Sequence, residues 1–282
     1  MLLKAKAFAK INLFLDVIGK REDGYHELDS VFQSVSLCDV VSLELCENGI
    51  TVTCDNQELS GEDNIVYKAC ELFFSEVSYC GGVKVHINKN IPVAAGMAGG
   101  SADAAATLYL LNKALGTDLS EQALSKIALS LGADVPFCLC GGTARVKGIG
   151  EKIQAVNTPE IHYVLLKEKE KQSTGKMFAK IDEIQFKTDK SIEKMLNGLG
   201  NCNLNLISKN LFNAFAFCWD FEEMTAPFKG FPFTGVFLSG SGPTVGAIFE
   251  NKADAQKCAT VLKEKGLNAF YAHSTNCGVS AE

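Results

Sequence analysis

No apolar run in the 282-residue chain approaches the ~18 residues that a membrane-spanning helix needs, so no helical span is expected. The N-terminus, M-L-L-K-A-K-A-F-A-K, lacks a long apolar core, and no secretory signal is expected. An excess of positive charge is also missing. Against 27 Lys and Arg stand 33 Asp and Glu, a formal net charge of −6, which argues against a general nucleic-acid binder but leaves room for a local basic pocket. The 11 cysteines include no C-x-x-C pair, and Cys138 and Cys140 have no second pair or nearby His to complete a zinc set. The expectation is therefore reduced, small, buried thiols in a cytoplasmic protein. Internal repeats and low-complexity tracts are absent as well. What remains is a globular composition, 47% hydrophobic and 21% charged, long enough for one large or two medium domains.

The most distinctive stretch runs from Pro92 to Ala106, P-V-A-A-G-M-A-G-G-S-A-D-A-A-A. Residues this small let the backbone come into contact with something large and polar. From Ser101 the stretch reads as a capped helix N-terminus, with Asp103 in the first turn and an apolar periodic run behind it. A glycine-rich turn feeding a helix gathers unpaired N–H groups, the chemistry of a phosphate cradle. The alternative is a tight turn needed only for packing. No G-K-[ST] follows the glycines, and the dinucleotide spacing G-x-G-x-x-G does not fit, so neither of those motifs applies.

Around this stretch the chain alternates strand and helix signals. Lys4 to Val17 is strand-like, and Lys10 and Asn12, two apart, share one face of it. That face is either solvated or functional. Tyr25 and His26 follow a turn-rich loop; they are either ordinary strand residues or a ring and a polar nitrogen that read a base. Val31 to Leu37 and Val40 to Cys46 suggest a hairpin turning at Cys38-Asp39. Ile50 to Cys54 makes a strand, Asp63 or Asn64 caps a helix opening at Asn64, and Val83, Val85 and Ile87 alternate in another strand. After the helix from Ser101, a second begins at Ser120 and ends at Gly132. Asp134 is the lone acid between Glu121 and Glu151, in apolar company, two residues before a proline that favours extended backbone at Val135. It is a buried turn ligand or a catalytic carboxylate. Beyond a boundary near residue 155, a strand at Tyr163 to Leu166 and a helix after Ser173 are expected, then helices at 191–198 and 203–218. Val236 to Leu238 and Val245 to Phe249 flank the loop S-G-S-G-P-T. A helix at 252–265 and a strand at 267–273 close an α+β arrangement.

Four motifs occur in order: K-x-N near the start, P-x-x-x-G-x-x-G-G-S-x-D, G-A-D-V-P, and S-G-S-G-P-T. This set resembles the GHMP small-molecule kinase superfamily. The run A-K-I-N-L-F-L-D-V-I-G-K-R-E-D-G-Y-H-E-L, from Ala9 to Leu28, is similar to the N-terminal signature of its branch acting on a cytidine diphosphate-linked methylerythritol. The resemblance implies an α+β, two-domain fold. Residues 1–155 would be a β/α half with a left-handed crossover, and residues 156–282 a ferredoxin-like half. The implied reaction is ATP-dependent phosphorylation of the substrate's 2-hydroxyl in non-mevalonate isoprenoid precursor biosynthesis, with ATP and Mg²⁺ required and no nucleic acid or membrane partner.

Carried onto this sequence, Asp134 matches the catalytic base and Lys10 the lysine beside it. Asn12, Tyr25 and His26 match substrate-binding positions, with Phe178 near a second stacking aromatic. Asn64 matches an adenine-side position. Ala94, Ala95, Gly96, Met97, Ala98, Gly99, Gly100, Ser101, Ala102, Asp103 and Ala104 match the ATP phosphate loop, with Ser101 a magnesium contact. The loop departs from the family in carrying alanines where glycine is frequent, and alanine resists φ > 0. Another superfamily kinase, of homoserine or mevalonate type, and an inactive nucleotide-binding member are the alternatives. The Tyr25-His26 pair argues against the first, and the presence of both Lys10 and Asp134 against the second.

Overall fold

A computed structural model describes residues 1–157 and 159–282. Two long strands, β1 (Leu2–Lys20) and β2 (His26–Cys46), form its spine and pair antiparallel along most of their length. β3 (Ile50–Cys54), α1 (Ile65–Val77) and β4 (Gly82–Asn88) follow, then α2 (Gly99–Leu115), α3 (Glu121–Leu131) and α4 (Val135–Cys140). β5 (Thr143–Gly148) and β6 (Lys152–Val156) complete the first half. The second half holds β7 (His162–Leu166), α5 (Thr174–Glu183), α6 (Ile192–Gly200), α7 (Leu204–Lys209), β8 (Phe212–Asn213) and α8 (Phe221–Thr225). β9 (Phe233–Leu238), β10 (Val245–Phe249), α9 (Lys252–Glu264), β11 (Ala269–His273) and β12 (Val279–Ala281) end the chain.

The strands form two sheets. The larger runs β12-β1-β2-β4-β3; β5 continues from the first part of β2 and carries β6, and β8 adds parallel to β1. The smaller is wholly antiparallel, in the order β11-β7-β10-β9. Period-two patterning builds the core of the larger sheet. Ala5, Ala7, Ala9, Ile11 and Leu13 of β1 all point inward and are fully buried. The three alanines let α2 approach closely, and Ala102, Ala104, Ala105 and Ala106 of α2 are buried as well. A helix apolar around most of its circumference belongs inside a protein, and α2 packs against β1, β2 and α1.

Several local expectations are corrected. Cys38-Asp39 is no turn: β2 runs straight through it, and a register shift opposite Phe8 and Lys10 absorbs the irregularity. Ser101 does not cap α2, which begins at Gly99; the N-cap position belongs to Ala98, with no side-chain cap bond. The extended backbone expected at Val135 does not occur. α4 opens there with Pro136 in its first turn, where a missing N–H leaves no helical bond unmade. The helix expected over 203–218 stops at Lys209, because Phe212 and Asn213 turn to pair with β1 and the Asn213 amide donates to the carbonyls of Leu238 and Gly240. Three short strands, β6, β8 and β12, are additions to the expected set. β12 returns the end of the chain to β1.

Candidate active site

Lys10 and Asn12 share a face of β1, as their spacing requires, but that face is not solvated: Lys10 is 4% exposed and Asn12 is fully buried. A buried ammonium needs partners. Lys10 Nζ donates to Asn12 Oδ1 at 3.1 Å, lies 4.2 Å from the centre of the Phe32 ring, and reaches Asp134 Oδ2 at 3.5 Å. Asn12 is held in turn. Its amide donates to Ser30 Oγ at 3.0 Å, and its Oδ1 also accepts the Gly240 N–H at 2.9 Å. Asp134 stands just before α4 in helical backbone (φ −84°, ψ −18°), with its side chain about one third exposed. One oxygen thus faces the lysine while the carboxylate stays open to a cleft.

That cleft has a volume of about 950 Å³, and most of the residues singled out in the sequence line it. Lys10 and Asp134 lie in its wall together with Asn12. The loop residues Ala94, Ala95, Gly96, Ala98, Gly99, Gly100, Ser101 and Asp103 form another part, beside Asn64. Tyr25, His26 and Phe178 line a further part. Met97, Ala102 and Ala104 do not line it; they are buried beneath the loop, where the Met97 carbonyl accepts the Lys10 N–H at 3.1 Å.

The loop adopts the shape its composition opposes. Ala94 and Ala98 take left-handed backbone (φ 53° and 57°), although each alanine there costs about 1 kcal/mol relative to a relaxed residue. A second loop, at 239–244, holds that shape. Ser239 Oγ donates to the Gly96 carbonyl at 3.0 Å, and a Cβ on Gly96 would lie 2.4 Å from the Ser239 carbonyl oxygen. With no side chain capping α2, the first-turn N–H groups of this 17-residue helix are left for an anionic ligand. Asn64 caps α1 by accepting from Val66 N and donates to the Leu59 carbonyl, so both ends of its amide are in use.

Asp103 is not a free acid near the helix start. Lys89 joins it at 2.7 Å and also contacts Asp39, whose other oxygen accepts the N–H groups of Asn90 and Ile91. Burial, then the neighbouring Asp39 carboxylate, push Asp103 well above the usual carboxylate range. Burial works against the charge on Lys89, but Asp103 and Asp39 outweigh it and hold the ammonium above its ordinary value. Sequence reasoning misses Lys89, although a cation in K-N-I-P directly before the loop is the available signal.

In the remaining part of the cleft Tyr25 is 61% exposed, which leaves its ring free to stack on a ligand. His26 lies against Phe178, ring centres 4.5 Å apart and nearly parallel, and Phe215 meets Phe178 edge-on. His26 Nε2 is 2.7 Å from Asp182 Oδ1. Neither Asp182 nor Lys20, which pairs with it at 3.3 Å, stands out in the sequence.

Against this geometry stand the likenesses to known proteins. Residues 64–142 match the model for the GHMP kinases N-terminal domain, and residues 229–268 the model for the GHMP kinases C-terminal domain. A 4-diphosphocytidyl-2-C-methyl-D-erythritol kinase of Caldicellulosiruptor bescii is 40% identical over 93% of this chain and 94% of its own length. One from Clostridium kluyveri is 39% identical over 94% and 97%. A crystal structure of 4-(cytidine 5'-diphospho)-2C-methyl-D-erythritol kinase superposes with a TM-score of 0.81 at 29% identity, covering 96% of this chain and 98% of the other. A homoserine kinase from Cytophaga hutchinsonii shares the fold at a TM-score of 0.76 with 18% identity, over 100% and 97%. With such identity along nearly its whole length, the chain belongs to the 4-diphosphocytidyl-2-C-methyl-D-erythritol kinase family of the GHMP kinases.

Proposed function

We propose that the chain transfers the γ-phosphoryl group of ATP to the 2-hydroxyl of 4-diphosphocytidyl-2-C-methyl-D-erythritol, a step of non-mevalonate isoprenoid precursor biosynthesis. The observation that carries this reading is the placement of Lys10 and Asp134, 3.5 Å apart, in one cleft with both the uncapped start of α2 and the Tyr25–His26 pair. Phosphoryl transfer asks chiefly for positioning and for charge stabilisation. The first turn of α2 and the backbone of residues 94–100 hold the triphosphate. Asn64 lines the cleft beside that loop and sits on the adenine side. Tyr25 stacks on the cytosine, and His26 reads its edge.

Asp134 accepts the hydroxyl proton, a general-base contribution of about 10²–10⁴-fold. The Lys10 ammonium lies where negative charge gathers on the acceptor oxygen and the transferring group, and Asn12 and Phe32 fix its direction. Ser101 lines the cleft in the first turn of α2 and offers a hard oxygen donor, which suits Mg²⁺, an ion that relies on substrate phosphates and retained waters for most of its ligands. When bound, Mg²⁺ neutralises charge on the phosphates. Asp103 gives one oxygen to Lys89 and keeps the other without a hydrogen-bond partner among the described residues, a second oxygen donor near Ser101 in the same cleft. Residues 1–155 carry the phosphate loop and the acid–base pair in this reading, and residues 156–282 form the second domain.

Replacing Asp134 by Asn tests the assignment. The variant is expected to fold normally and bind ATP with unchanged affinity while losing nearly all turnover. Substantial turnover in a folded Asp134→Asn protein overturns the base assignment.

A further inference from the structure

His26 opens β2, and its contact with Asp182 spans 156 positions of sequence to the last turn of α5. The two oxygens of Asp182 are both spent on the facing ends of β1 and β2: Oδ1 faces His26 Nε2 at 2.7 Å, and Oδ2 takes Lys20 Nζ at 3.3 Å. A carboxylate near a helix C-terminus sits against the helix dipole, so this position does nothing for α5 itself. The hydrogen bond from His26 holds the Asp182 carboxyl below the usual carboxylate range, and Lys20 adds to it.

An ionised carboxylate can only accept a hydrogen bond. Nε2 therefore carries the hydrogen in this contact, and in a neutral imidazole Nδ1 is left as a bare acceptor. Among the described residues nothing hydrogen-bonds His26 Nδ1. The ring lies flat on Phe178 with an interplanar angle of 15°, and its 2.7 Å contact with Asp182 is what sets which nitrogen faces α5. Lys20, Tyr25, His26, Phe178 and Asp182 all line the same cleft.

We infer that Asp182 is a positioning residue that sets base specificity: by fixing His26 with its acceptor nitrogen toward the ligand, it selects a pyrimidine presenting an exocyclic amine over one presenting a carbonyl. Cytosine has that amine and uracil does not. The inference rests on the cytidyl reading under Proposed function and adds to it a residue whose two carboxylate oxygens face His26 and Lys20. A bare Nδ1 lone pair facing a uracil carbonyl leaves two acceptors opposed, a mismatch that a polar site rejects strongly.

The test compares kcat/KM for the cytidine substrate and its uridine counterpart in the wild type, Asp182→Asn and Asp182→Glu. Asn can donate as well as accept, so it allows either tautomer of His26. The wild type is expected to prefer the cytidine form by about 100-fold or more. In Asp182→Asn that ratio falls about tenfold or more, through KM for the pyrimidine substrate, while KM for ATP and the melting temperature hold. Asp182→Glu restores most of the ratio. ¹⁵N shifts of the His26 ring, assigned with His26→Gln, report the tautomer directly in the free protein. They are expected to show hydrogen on Nε2 in the wild type and a mixture in Asp182→Asn. An unchanged ratio in folded Asp182→Asn, or hydrogen on Nδ1 in the wild type, overturns the inference. A wild type inactive on the cytidine form contradicts the functional reading instead, and the ring shifts still decide the role of Asp182.

Discussion

Lys89 sits between Asp39 and Asp103, three ionisable groups almost wholly removed from water next to the start of α2. Removing one member of such a set costs more than the set contributes, because the groups left behind are buried without a partner. Lys89→Met is therefore expected to lower stability by about 3–5 kcal/mol, read from urea unfolding; a change under ~1 kcal/mol would show that the cluster relaxes without its cation. Little of this is legible in the sequence. Asp39 looks like half of a turn dipeptide and Asp103 like a first-turn acid, each a sound local reading. Lys89 meets Asp39 because β4 pairs with β2 in the register Val40–Asn88, a tertiary fact that no local pattern encodes. By contrast, the Lys10–Asn12 spacing of two on a strand is enough by itself to dictate a shared face.

Among the elements, the 94–100 loop and the 239–244 loop are joined directly. The Thr244 N–H donates to the Ala95 carbonyl, Ser239 Oγ to the Gly96 carbonyl, and Gly240 N–H to Asn12. Gly96 is the position where this stitching tolerates no side chain: its φ is +76°, and an added Cβ would meet two backbone oxygens of the other loop at 2.4 and 2.8 Å. Gly96→Ala is expected to cost roughly 2 kcal/mol or more in unfolding free energy and to raise KM for ATP as the loops part; an unchanged KM in a folded variant would show that the second loop does not shape the first. The sequence shows both loops as glycine-rich and longer than a turn needs, but not that they touch. It also misplaces the start of α2, because Ser101 is a good cap residue and Ala98 in left-handed backbone is a poor one. Packing of the alanine-rich α2 against β1 overrides the local preference.

At the scale of the whole molecule, the order of elements is largely readable, since long strands and amphipathic helices carry strong periodicity. β8 and β12 are not, because two or three residues hold too little pattern, and β6 is not, because it is mostly exposed and buries no apolar face. One cleft holds the 94–100 loop with the uncapped start of α2, the Lys10–Asp134 pair and the Tyr25–His26 pair, the arrangement on which the proposed cytidyl-substrate reading rests. The direct measurement is a coupled assay of the purified protein with ATP and Mg²⁺, offering the cytidyl-methylerythritol substrate, homoserine and mevalonate in parallel. Turnover is expected on the cytidyl substrate and at least about 100-fold less, as kcat/KM, on the other two. Equal or greater turnover on homoserine or mevalonate would contradict the reading of the cleft.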